Sequence, residues 1–314
     1  MTDLVLYNHF HNGDLFASKG FVLELCRQLE FFDVNIKYLH ANHPKVLSDL
    51  PVEYAPILSH PVMKLADVHR MKIFMQDDVL YVNTWIGPYI SAYTLDEVTC
   101  EVDAPGINYQ SYQYIWKHIF SEINKLTPWS LQLNDNVWQH VPTIRQDRFP
   151  LAWMHAFLNR GAYKFRVLVS NGPVHSGQAY ASHNMIHLLL PMIQHSTDVQ
   201  WIFTANTGCV LPNVVYTGDI IPSNGAICDL NEIGLLSEHC DIIIGRNSGP
   251  FLFTNTQRNL ADQTKTFIAL GKSDGESFPW NLTTPARFYW MSDHDDNKVQ
   301  SFIETVLHAK HHFT

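Results

Sequence analysis

Residues 240–253, CDIIIGRNSGPFLF, decide the fold. CDIIIG is a short apolar run of the kind that a buried strand needs, and RNSG is small and polar. Pro250 suits the first turn of a following helix, where no backbone N–H has to be paired. The same grammar recurs on both sides. KFRVLVS (164–170), VQWIFTA (199–205), NVVYTG (213–218), TKTFIALG (264–271) and ARFYWMS (286–292) each read as a strand. Helical spacing falls between them at 182–194, 229–240, 249–262 and 296–309. Strands that alternate with helices imply crossover connections, and hence a doubly wound parallel sheet.

The amino-terminal half opens in the same way. Residues 4–8 are a short apolar strand, Phe21, Val22, Leu25, Leu29 and Phe32 share a helical face, and VNIKYLH (34–40) is a second strand. Strand, helix and strand at this spacing make a right-handed βαβ unit. IFMQDDVLYVNTW (73–85) reads as a hairpin about Asp77-Asp78. Tyr112, Ile115, Ile119 and Ile123 mark a helix over 109–126 that Thr127-Pro128 ends, and 149–159 is a further helical piece. The expected domains are 1–160 and 161–314.

Composition bounds the function. The chain of 314 residues is 46% hydrophobic and 16% charged, enough for two folded cores. A net charge of −9 disfavours a protein whose main task is to neutralise nucleic-acid phosphates. Cys26, Cys100, Cys209, Cys228 and Cys240 are odd in number and widely spaced, which points to a reducing compartment. No secretory pattern opens the chain, and no apolar run reaches the roughly 20 residues of a membrane span. A cytoplasmic protein is the expectation.

In open α/β sheets ligands sit beyond the carboxyl ends of the strands. Three loops there carry candidate residues. GRNSGP places Arg246, Asn247, Ser248 and Gly249 ahead of a helix, whose free N–H groups and positive dipole end suit a phosphate. Ser248 is equally explicable as a plain N-cap. SNGPVHSGQ offers Asn171, Gly172, His175 and Ser176. HFHNGD holds His9, His11, Asn12, Gly13 and Asp14. On an extended backbone His9 and His11 share a face. Such an H-x-H pair also resembles the start of metal-dependent hydrolases of the amidohydrolase type, although a metal needs further ligands. Asp14 is either a helix cap or a carboxylate aimed at a ligand. Asp229 and Glu232 have capping-box spacing.

Together, DLNEIGLLSEHCDIIIGRNSGP (229–250) and NGDLF (12–16) resemble glycosyltransferase family 9, the heptosyltransferase-like group of GT-B enzymes. The resemblance implies two Rossmann-like domains facing across a cleft, with a nucleotide sugar in the second domain and an acceptor in the first. Carried over, Ser248 and Gly249 hold the donor diphosphate, Arg246 stabilises it, and Asp14 is the base that deprotonates an acceptor hydroxyl. No metal or other cofactor is implied. The acceptor could be a glycan, a lipid-linked sugar, a protein or a small molecule. The chain departs from the family at Phe251-Leu252-Phe253, where a His is common, and at Asn247, where an Asp is common. Its Gly-Asp turn is also similar to that of polysaccharide pyruvyl transferases. A metal-dependent hydrolase built on His9 and His11, or a binding protein of GT-B shape without catalysis, are the alternatives.

Overall fold

The computed structural model describes residues 3–9, 12–41, 44–65, 67–90, 109–161, 163–172, 183–222, 229–246, 249–270 and 284–311. These fall into two compact units that divide after Arg148. The helix Ala152–Leu158 therefore goes with the second unit, where Arg166 donates through Nη2 to the Leu158 carbonyl at 2.9 Å.

The first unit is built on five strands: β1 (Asp3–Asn8), β2 (Ile36–His40), β3 (Glu53–Pro56), β4 (Ile73–Gln76) and β5 (Val79–Asn83), in the order β3-β2-β1-β5-β4. All neighbours are parallel except the hairpin β4-β5. Asp77 and Asp78 both have positive φ, 50° and 63°. That is the signature of a type I′ turn, whose twist matches the strands it joins. The helix α1 (Asn12–Leu29) starts inside the HFHNGD motif, so Asn12, Gly13 and Asp14 are its first turn and not a loop. Phe32 leaves the apolar face of α1 for a 3-10 turn, Glu30–Phe32, and is exposed. Lys19 sits on the buried side of α1, fully enclosed, with Nζ 2.6 Å from Oδ1 of the equally buried Asp49. Gly20 is required for a different reason: a Cβ there would lie 2.0 Å from the His140 carbonyl oxygen. The helix α1 thus packs backbone to backbone against the turn Val137–His140.

Among the described residues the further α-helices in chain order are α2 (Gly87–Ile90), α3 (Tyr109–Leu126), α4 (Ala152–Leu158), α5 (Met185–His195), α6 (Thr217–Ile220), α7 (Leu230–Ser237), α8 (Gly249–Leu252), α9 (Gln257–Ala261) and α10 (Asp296–His311). The second unit carries a wholly parallel sheet of β6 (Phe165–Ser170), β7 (Val199–Phe203), β8 (Val214–Tyr216), β9 (Ile242–Arg246), β10 (Thr266–Leu270) and β11 (Arg287–Met291). Its order is β11-β10-β9-β6-β7-β8, the Rossmann arrangement. The core is formed by Val167, Val169, Trp201, Phe203, Ile244 and Ile268 under Leu189, Ile193, Val299 and Ile303 of α5 and α10.

Two expectations fail in this unit. The helix expected over 249–262 is broken into α8 and α9. Thr254 Oγ1 and Asn255 Nδ2 both donate to the Phe251 carbonyl, and Thr256 Oγ1 accepts from the Asn259 amide as the N-cap of α9. Short polar side chains compete here with the helix for its own backbone groups. The capping box at Asp229 is also not formed: Asp229 stands at the N-cap of α7 without a side-chain cap hydrogen bond.

Candidate functional site

In the second sheet β6 leads away to β7 on one side and β9 to β10 on the other. Between their carboxyl ends no connection crosses, and a crevice opens at this switch point. Ser170 closes β6 opposite Gly245 of β9. A Cβ on Gly245 would lie 2.7 Å from both Ser170 Cβ and Phe251 Cδ2, so a glycine lets β6, β9 and the turn of α8 pack together.

A cavity of about 280 Å³ sits at this point, lined by Asn171, His183, Asn184, Met185, Ile186, Thr207 and Arg246. Arg246, the last residue of β9, is half-buried. Its Nε is enclosed without a partner, and no ion pair or side-chain hydrogen bond of its guanidinium occurs among the described residues. Desolvating a cation without a counter-charge is costly, so such a group points to an anionic ligand. The first turn of α5 lines the same space and is capped by Asn184, whose Oδ1 accepts from the His187 amide at 3.4 Å. Its positive dipole end adds to the arginine charge.

Asn171 lines the cavity, yet most of its amide is committed. Oδ1 accepts from the Ala205 amide at 2.8 Å and Nδ2 donates to the Ala205 carbonyl at 2.9 Å, clamping the end of β6 to that of β7. The second hydrogen of Nδ2 makes no hydrogen bond among the described residues. Gly172 follows directly, and Gly249 opens α8. His175, Ser176, Asn247 and Ser248 lie outside the described residues.

A larger cavity of about 590 Å³ lies at the opposite edge of this sheet, against Phe165, Val199 and Ile242, the first residues of β6, β7 and β9. Its lining is mainly apolar, and amino-terminal strand ends are not where such sheets bind ligands. The smaller, polar cavity is the better candidate.

The first unit assembles a second cluster at the carboxyl ends of β1, β2 and β5. Asp14 is half-buried in the first turn of α1, and its Oδ1 accepts from the Tyr112 hydroxyl of α3 at 3.0 Å. Tyr38 and Thr84 share a buried hydroxyl contact at 2.6 Å. Burial first, then the Asp14 charge, pushes the Tyr38 phenol up. His9 lies against His69 in a tilted ring contact with centroids 4.0 Å apart. Burial, and then the neighbouring His9, hold the His40 imidazole down at about 4, so this ring is neutral at physiological pH. His9 is itself lowered by burial and by His69. No group of three or more His, Cys, Asp or Glu side chains that could hold a metal occurs among the described residues, and His11 lies outside them.

Sequence reading missed Tyr112, Lys19 and Asp49, Tyr38, His40 and His183. One signal was available: a lysine between Phe16 and Val22 on the apolar stripe of α1 implies a buried partner. No helix among the described residues is long and apolar enough to cross a membrane.

The two units are therefore Rossmann-like α/β units with polar clusters at the carboxyl ends of their strands. No protein-family model matches the chain, and no curated protein matches it. Solved structures resemble it in fold. The chain is similar to E. coli ADP-heptose lps heptosyltransferase II, with 12% identity and a TM-score of 0.49 over 99% of this chain and 100% of that one. It is also similar to E. coli heptosyltransferase WaaC with ADP-2-deoxy-2-fluoro heptose, at 11% identity, TM-score 0.49, 97% of this chain and 99% of the other. A glycosyl transferase family 9 protein from Veillonella parvula matches at 11% identity and TM-score 0.43, over 97% and 89% of the two chains.

Proposed function

We propose that the chain is a nucleotide-sugar-dependent glycosyltransferase of GT-B type. The second unit would bind the donor, and Asp14 of the first would act as base toward an acceptor hydroxyl. The observation that carries this reading is the half-buried Arg246 guanidinium at the β6/β9 switch point, beside the amino terminus of α5, without an ion pair or side-chain hydrogen bond among the described residues. A diphosphate supplies the charge that this site lacks, and it is the group that takes up negative charge as a glycosyl bond to it breaks. The motif at 229–250 supports the same reading from sequence.

A thermal-shift panel of ADP, UDP, GDP and CDP tests it. One of these is expected to raise the melting temperature steadily with the logarithm of its concentration, with roughly 2.7 kcal/mol of stabilisation at a hundredfold excess over Kd. A flat response to every nucleotide would end the donor reading. Binding without any turnover or hydrolysis of nucleotide sugars would favour a non-catalytic binding protein.

Arg246→Gln separates a ligand contact from a structural one. We expect its affinity for the stabilising nucleotide to drop about 100-fold, ~2.7 kcal/mol, as a charged hydrogen bond and a desolvated ion pair are lost. Without ligand the variant should melt no lower than the wild type, because the Arg246 guanidinium makes no ion pair or side-chain hydrogen bond among the described residues. A lower melting temperature at unchanged affinity, read by calorimetry and titration, would make Arg246 a structural residue.

A further inference from the structure

The Arg246 cavity has a second potential cation on its wall. His183 lies just ahead of α5, is 6% exposed, and lines the cavity with Asn184 and Arg246. Its Nδ1 is 2.6 Å from Oδ1 of Asp296, the first residue of α10, across 113 positions of sequence. An ionised carboxylate only accepts, so Nδ1 carries a proton and donates it. Nε2 is then the nitrogen left for a ligand, and no hydrogen bond to it occurs among the described residues.

We propose that His183 is an anion-binding residue of this cavity, donating Nε2–H as an imidazolium to a phosphate oxygen, with Asp296 as the positioning residue that orients the ring and balances its charge. This rests on the reading of the cavity as the donor diphosphate site. A neutral ring with its proton on Nδ1 would turn a lone pair toward the phosphate, acceptor against acceptor. Donation to a bound diphosphate requires the doubly protonated ring, and a proton taken up on binding is the expected signature of this role. Among the described residues the charged groups beside His183 are Asp296 from α10 and Arg246 from β9, together with the dipole end of α5.

A pair whose only task is to pin α10 to the start of α5 would not couple to protons on ligand binding. This gives a readout that a structural role does not move. Wild type, His183→Gln, Asp296→Asn and the double variant are titrated calorimetrically with inorganic pyrophosphate and with ADP, UDP and GDP, near neutral pH. Buffers of different ionisation enthalpy report proton uptake. His183→Gln should bind about tenfold more weakly, ~1.4 kcal/mol, and take up less proton than the wild type. Asp296→Asn should weaken binding in the same direction, and the double variant should be no worse than His183→Gln alone. Asp296 is 63% exposed at its side chain, so its variant remains informative if His183→Gln folds poorly. Equal affinity and equal proton uptake in wild type and variants overturn the inference while leaving the anion cavity in place. Failure of the wild type to bind any of these probes removes the donor reading, and this inference with it.

Discussion

Asp14→Asn should lower turnover of a nucleotide sugar by about 10²–10⁴-fold, while the affinity for its nucleoside diphosphate stays unchanged. The carboxylate is half-buried at the carboxyl ends of the first parallel sheet, and Tyr112 fixes one of its oxygens at 3.0 Å. On the proposed function, this carboxylate is the group that would take the acceptor proton. Asparagine keeps the shape and the contact to Tyr112, but its amide cannot take a proton. Tyr112→Phe is the control: it removes the orienting contact and keeps the base, so its loss should be far smaller. The measurement is nucleoside diphosphate release, with a titration of the same nucleotide alongside. Full turnover in Asp14→Asn would reduce Asp14 to a residue that favours the first turn of α1 by its charge.

Asp49→Ala should destabilise the first unit by about 3–5 kcal/mol, since it removes the carboxylate paired with a charged lysine where water does not reach. Lys19 and Asp49 are 0% and 1% exposed, and their contact of 2.6 Å ties the middle of α1 to the segment before β3. The pair need not be a net gain in stability. Removing both charges with Lys19→Met and Asp49→Leu should recover most of the loss, because apolar groups of similar volume carry no desolvation penalty. Urea unfolding followed by a probe in the first unit reads both variants. If Asp49→Ala unfolds with the wild-type midpoint, water reaches Lys19 and the pair is not closed.

Most of the strands were legible because their signal is local. The apolar runs read at 164–170, 199–205, 213–218, 240–245, 264–271 and 286–292 hold strands β6 to β11, with ends that differ by one or two residues. The hairpin at Asp77-Asp78 was also read correctly, since two residues that tolerate positive φ lie between two apolar runs. Errors came where side chains bond the backbone: Thr254, Asn255 and Thr256 break a helix that the apolar spacing alone would carry through. Asp14 could not be placed from sequence because residues that cap a helix and residues that begin its first turn are the same types.

The candidate sites were legible only as loops. Tyr112 and Asp14 are 98 residues apart, Lys19 and Asp49 are 30 apart, and no periodicity links either pair. By itself the sequence determined two α/β units and the loops in which ligand chemistry had to lie, because strand and helix periods are properties of neighbouring residues. The tertiary structure alone decided that β6 and β9 are neighbours, and that Arg246 meets no counter-charge among the described residues. Whether a charge is compensated depends on everything that surrounds it in space, and sheet order brings those surroundings together from distant parts of the chain.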